Sequence, residues 1–249
     1  MTSPDPLPFG RRCVLAAAIL WSLSGVVTKS LPLGPLPIAF YRSLFAGLAL
    51  WPFVPRSRWV LRPAMVPFCL VFGAMIGLYI GAVKATTAAN AIYRQYTATF
   101  WMIPASALVL HERPDRRSVW GVGLAMVGIV IIVGFGYDGR PNEWQGVALG
   151  LASGLTFAGV AIMMRAFRGV DSTWLSVVGN LGGALALGAW MGIQSGPIPV
   201  PTFGQTLALV AFGAVQMAIP YALFARGLRS VGATEAGLIA LIEPVLNPV

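Results

Sequence analysis

Charge is scarce in this 249-residue sequence: 10% of its residues are Asp, Glu, Lys or Arg, against roughly 25% in an ordinary soluble domain. So few charges cannot cover the surface of a 26.3 kDa globule, which excludes a soluble enzyme or binding module of normal composition. Acid is scarcer still. There are 8 Asp and Glu residues, and the four aspartates, Asp5, Asp115, Asp138 and Asp171, all lie in tails or between apolar runs. The single histidine, His111, also falls between runs and reads as a loop residue. An intramembrane enzyme needs paired carboxylates, a Ser/His pair or a metal cluster within its spans, and a His/Cys metal site has almost nothing to build from. No catalytic residue, metal site or cofactor is therefore expected. Cys13 and Cys69 each sit inside an apolar run, which argues against a disulfide framework. The absence of a G-x-x-x-x-G-K-[ST] loop excludes direct ATP drive, and no channel filter motif is evident. The first apolar run follows Arg11-Arg12, lacks an Ala-x-Ala exit and continues into Lys29. It reads as a retained helix rather than a cleaved signal.

Apolar residues are abundant instead: 57% of the chain is hydrophobic, with a mean hydropathy of +0.78. A membrane span needs about 20 apolar residues, so with short loops the length accommodates about nine or ten spans. Long stretches that are apolar and almost free of charge place them at 13–30, 36–55, 64–83, 87–110, 118–136, 145–165, 173–193, 205–226 and 232–249. The stretch 172–225 is too long for one crossing and divides at Pro197-Ile-Pro199-Val-Pro201. The ninth segment is still apolar at the last residue.

The formal net charge of +9 has no basic run interleaved with aromatics. It suits loop arginines facing anionic lipid headgroups rather than a nucleic acid. Basic residues are retained in cytoplasmic loops. With the N-terminus inside, the inner set is Arg11, Arg12, Arg56, Arg58, Arg62, Arg113, Arg116, Arg117, Arg165, Arg168, Arg226 and Arg229, and the outer set is Lys29, Lys84 and Arg140. Twelve against three, alternating at every loop, predicts a multi-pass protein of the cell membrane with a cytoplasmic N-terminus. Arg42 and Arg94 belong to neither set and fall inside predicted spans. Arg42 is close enough to the outer end of its span to snorkel.

The halves match faintly but in order. Residues 21–29 (WSLSGVVTK) lie over 157–165 (FAGVAIMMR) at an offset of 136, and 78–91 (LYIGAVKATTAANA) over 223–236 (LFARGLRSVGATEA) at 145. The matched loop residues Lys84 and Arg229 fall on opposite sides of the membrane. A five-helix unit repeated after an odd number of crossings is inverted, a recurring design of secondary transporters with a site at the repeat interface.

These features resemble the drug/metabolite transporter superfamily, specifically the EamA-type transporters. The resemblance rests on Leu20-Trp21-Ser22 in the first segment, Phe40-Tyr41-Arg42 in the second and Leu110-His111-Glu112 ending the fourth. Gly121 and Gly128 in the fifth segment, and Gly232-Ala233-Thr234-Glu235-Ala236 with Glu243-Pro244-Val245 in the ninth, add to it. It covers 13–249 and implies an all-α polytopic membrane protein of two inverted five-helix repeats, 13–136 and 145–249. Nine of an expected ten transmembrane helices are present, so a C-terminal truncation is expected. Thr99 stands where the second repeat has Pro244, so the fourth helix is expected to lack that kink. The resemblance also implies a structural role for Arg42, and transport of small metabolites such as amino acids, more often outward. The partners expected are a small-molecule metabolite and the lipid bilayer, with a homodimer left open. A channel, a non-transporting assembly protein and an intramembrane enzyme are the other readings.

Ionisable groups inside the bilayer usually face a cavity or a partner. Arg94 shares a helical face with Asn90, Thr97 and Trp101, a donor, a cation, a hydroxyl and an aromatic wall suited to a carboxylate or a ring. Pairing of Arg94 with Glu243 is the structural alternative, and a gating pair would satisfy both. Glu243 precedes Pro244, which opens a helix, and a carboxylate there could couple transport to protons. Glu235 is expected to be solvated. Trp21 and Ser24 with Thr156 and Phe157 are candidate cavity lining on matched helices, and Tyr79, Gln216 and Tyr221 join them.

Overall fold

A computed structural model describes residues 6–112, 114–135, 143–195 and 198–246, and their regular structure is helical throughout. Asp5, Arg113, Asp138, Arg140, Pro197 and the end of the ninth segment lie outside the described residues. The helices follow the predicted segments. The first holds α1 (Pro6–Trp21) and α2 (Ser24–Ser30), the second α3 (Pro35–Leu50) and the third α4 (Met65–Ala85). The fourth holds α5 (Ala88–Gln95) and α6 (Ala98–Ala105), and the fifth, sixth and seventh are α7 (Arg116–Phe135), α8 (Glu143–Ala166) and α9 (Ser172–Ser195). The eighth holds α10 (Phe203–Gly213) and α11 (Ile219–Gly227), and the ninth α12 (Ala233–Ala240) and α13 (Ile242–Leu246).

Five stretches are long and apolar enough to cross a membrane: Pro35–Phe53, Met65–Ala85, Trp144–Ala166, Ser172–Gln194 and Phe203–Gly227. Their outward faces suit lipid rather than water. Leu185, Ile193 and Leu207 are exposed, as are Trp120, Leu124 and Val130 along α7. A helix apolar all round belongs in a core or a bilayer.

Several segments break, each for a local reason. Pro244 cannot donate to the carbonyl four residues before it, and the ninth segment breaks at Leu241. Pro220 stands four residues after Gln216, and the chain widens there into a π-helical turn, Ala214–Ala218. The fourth segment, expected to run unkinked through Thr99, breaks at Tyr96–Thr97. No proline is needed for this. The Thr97 hydroxyl takes the Arg94 carbonyl at 2.7 Å, and the backbone tightens through Thr97 N–H to Arg94 O at 3.3 Å, a local competition that bends helices. The first segment breaks at Ser22–Leu23, where the Ser22 hydroxyl bonds the Ile19 carbonyl at 2.7 Å. The fourth segment ends at His111, whose φ of 54° is left-handed and turns the chain out of the helix.

Packing is pairwise and close. α4 lies along α8 and α1 along α11; α3 crosses α9 and α10, α4 crosses α9, α5 and α6 pack on α8, and α12 and α13 on α1. Glycines set the tightest approaches, as small residues do between helices in lipid. A Cβ on Gly73 would come within 2.8 Å of the Gly183 carbonyl, and one on Gly213 within 2.6 Å of the Arg42 carbonyl. A Cβ on Gly10 would strike Ser230 and Val231, and one on Gly146 would strike Thr86.

The two ends of the bundle carry different contacts. At one, Arg11 pairs with Glu235 at 2.6 Å, Arg58 with Asp171 at 3.0 Å, and Glu112 with Arg165 at 2.9 Å and Arg168 at 3.0 Å. Glu235, expected to be solvated, is therefore ion-paired while still partly exposed. At the other end, the Lys84 ammonium caps the Leu31 carbonyl at 2.7 Å, Lys29 caps that of Thr86, and the Tyr41 hydroxyl reaches Pro199 O at 3.1 Å.

Candidate functional site

The breaks converge on one cavity. It is lined by Trp21 at the end of α1, Ser24 opening α2, Arg42 on α3, Ile76 and Tyr79 on α4, Gln95 ending α5, Phe157 on α8, Tyr221 on α11 and Glu243 on α13. Its free volume is about 20 Å³, little more than a single water requires. A metabolite would therefore need the surrounding helices to part.

One wall is aromatic. The Trp21 ring lies 6.0 Å from Phe157, 4.9 Å from Tyr221 and 5.3 Å from Phe224, in edge-on or tilted contacts, and Tyr221 lies 4.8 Å from Phe72. The other wall is polar. The Ser24 and Tyr79 hydroxyls are 2.9 Å apart, and Gln95 donates to the Ser153 hydroxyl at 2.8 Å. Glu243 is 5% exposed, and its Oε2 accepts a hydrogen bond from the Tyr96 hydroxyl at 2.5 Å.

Arg42 completes the polar wall. It is 2% exposed, so the expectation that it snorkels to the outer surface is overturned. The reason lies on the eighth segment: the Phe212 ring covers the guanidinium with its centroid 4.4 Å from Cζ, and Met217 Sδ lies 2.6 Å from Nη2. Gly213 lets the two backbones touch there. Arg42 Nε and Nη1 are buried with no hydrogen-bond partner among the described residues.

Of the residues singled out from sequence, Trp21, Ser24, Tyr79, Phe157, Tyr221 and Glu243 line this cavity. Gln216 stands behind it, donating to the Leu20 and Trp21 carbonyls at 2.7 and 3.0 Å, which caps the end of α1 where the first segment breaks. Thr156 spends its hydroxyl on the Ala152 and Ser153 carbonyls of its own helix. Arg94 is buried elsewhere: the nearest atoms to a Cβ on Gly150 of α8 would be those of the Arg94 stem. Arg94 and Glu243 are therefore not brought together; Tyr96 holds the carboxylate instead. Thr97 lies against Gly154 of α8, the Asn90 backbone is capped by the Thr87 hydroxyl at 3.0 Å, and Trp101, 41% exposed, borders an outward groove with Phe100 and Leu155. None of these four lines the cavity.

Arg42, Ile76 and Gln95 are the lining residues that the sequence reading did not place there, with Tyr96 behind them. Three carried a signal. Arg42 was one of two basic residues inside a span, and Gln95 and Tyr96 belong to the unusually polar run Tyr93-Arg94-Gln95-Tyr96.

Comparison with known proteins gives a consistent picture. The family model described as the EamA-like transporter family matches residues 9–134 and again 144–249. An uncharacterized transporter of Archaeoglobus fulgidus is 28% identical over 240 residues, 95% of this chain and 84% of its own length. The uncharacterized transporter YwfM of Bacillus subtilis is 27% identical, over 93% of this chain and 81% of its own. The pseudopaline exporter CntI of Pseudomonas aeruginosa is 27% identical over 65% of this chain and 58% of its own. A crystal structure superposes with a TM-score of 0.77 at 20% identity, covering 97% of this chain and 86% of that one, a likeness of fold.

Proposed function

Because the chain belongs to the EamA-like transporter family, we propose that this multi-pass membrane transporter is a secondary carrier that exports small metabolites such as amino acids across the cytoplasmic membrane by alternating access. The observation that carries the reading is the buried cavity walled by Trp21, Arg42, Tyr79, Phe157, Tyr221 and Glu243. It draws residues from both the 13–136 and the 145–249 portion and is narrow enough to count as closed. Outward direction is supported by the Pseudomonas relative, itself named an exporter.

The nine segments, read as nine crossings, form two inverted repeats. Several contacts support this. Gly10 and Gly146 are 136 residues apart, and the residues they crowd, Val231 and Thr86, are 145 apart, the two offsets of the sequence match. The breaks at Tyr96 and Leu241 are also 145 apart. The packing of α4 on α9 has its counterpart in that of α10 on α3. Repeats of this kind rock against each other around a fixed site.

Counterflow in liposomes tests the proposal. Vesicles preloaded with unlabelled amino acids, nucleosides or organic acids should accumulate the matching labelled solute transiently and saturably. Flux that never saturates would instead favour a channel, and no flux of any solute would remove the carrier reading.

A further inference from the structure

Resting on that carrier reading, we infer that Arg42 reads the substrate, and that the substrate bears a carboxylate. The guanidinium sits in the cavity wall with Nε and Nη1 uncommitted to any described residue. Buried donors left without a hydrogen bond are costly, and a charged group within a bilayer usually marks a functional site. The one acid in the cavity does not meet the need: Glu243 is engaged by Tyr96, and no ion pair joins it to Arg42 among the described residues.

Phe212 covers one face of the guanidinium and Met217 approaches one amino group. Both contacts fix the group's orientation without neutralising it. A planar, permanently charged fork with free N–H donors matches a carboxylate in geometry and sign. Across the cavity Glu243 faces the same space, an acceptor for an ammonium group, and the Trp21, Phe157 and Tyr221 rings offer an apolar bed for a side chain. The arrangement fits an α-amino carboxylate held by both charges. It disfavours an amine without the carboxylate, which would leave Arg42 Nε and Nη1 without an acceptor.

The test is thermal stabilisation of the purified full chain by the proteinogenic amino acids, each set beside its decarboxylated amine and its carboxamide. At least one amino acid should raise the melting temperature while its amine and amide do not. R42Q should weaken that amino acid's dissociation constant by about 10- to 100-fold, the loss of one hydrogen bond to a charged group. R42K, which keeps the charge but not the fork, should weaken it by less. Elution profile and unliganded melting report on folding; if R42Q fails to fold, R42K alone decides, and unchanged binding by R42K overturns the assignment. Equal stabilisation by the amine, an undiminished response of folded R42Q, the same shift from chloride alone, or no shift from any amino acid would each overturn it. Saturable counterflow of a solute without a carboxylate would also overturn it while leaving the carrier reading standing.

Discussion

Glu243 is kept from water by its neighbours, and one phenol hydrogen bond serves its carboxylate. Removing that donor leaves a buried acceptor group unserved, which costs more than a typical neutral hydrogen bond is worth. We expect Y96F to lose about 1.5–3 kcal/mol of stability. Y79F, which breaks the neutral pair with Ser24, should lose about 0.6 kcal/mol, the average for such bonds between membrane helices. Unfolding of both variants in mixed micelles checks the order; equal losses would mean that the Glu243 carboxylate is served by something other than Tyr96. Glu243 was legible because a carboxylate beside a proline in an apolar run has few structural uses. Tyr96 was not, because the face of the fourth segment was counted from Arg94, which packs against Gly150 of α8, whereas the cavity lies on the side of Gln95.

Element boundaries were more legible than element continuity. Long apolar runs placed the helical segments, since lipid-facing helices carry their signal in composition rather than in amphipathic period. Breaks were legible only where proline caused them. The break in the first segment depends on a residue almost 200 positions away: Gln216, turned inward by the π-helical turn before Pro220, donates to the two carbonyls that α1 leaves open at Leu20 and Trp21. Q216L keeps the volume but removes the donors. Each unserved buried carbonyl costs about 1–3 kcal/mol, so the variant should melt well below the parent. It should also open the first segment at Ser22–Leu23 to amide exchange. A variant as stable as the parent would show that the π-turn amide is not what holds the broken helix.

Across the whole molecule, the charge alternation read from sequence makes a demand on three dimensions: residues assigned to one side must be able to meet, and residues of opposite sides must not. Arg11 with Glu235, Arg58 with Asp171, and Glu112 with Arg165 and Arg168 join loops of the arginine-rich set alone. Lys29 with Thr86, Lys84 with Leu31 and Tyr41 with Pro199 join loops of the other. This sorting tells the two ends apart, and the proposed orientation puts the arginine-rich end in the cytoplasm. The prediction follows for single cysteines placed in a chain with Cys13 and Cys69 replaced by alanine. Ser30, the last residue of α2, and Arg56, six residues past the end of α3, are both exposed and stand on opposite sides in the proposed topology. A membrane-impermeant maleimide should label S30C in intact cells and R56C only in inverted vesicles. Labelling of both from one side would break the alternation itself, whereas the reverse pattern would preserve the fold and its cavity and turn the protein over in the membrane.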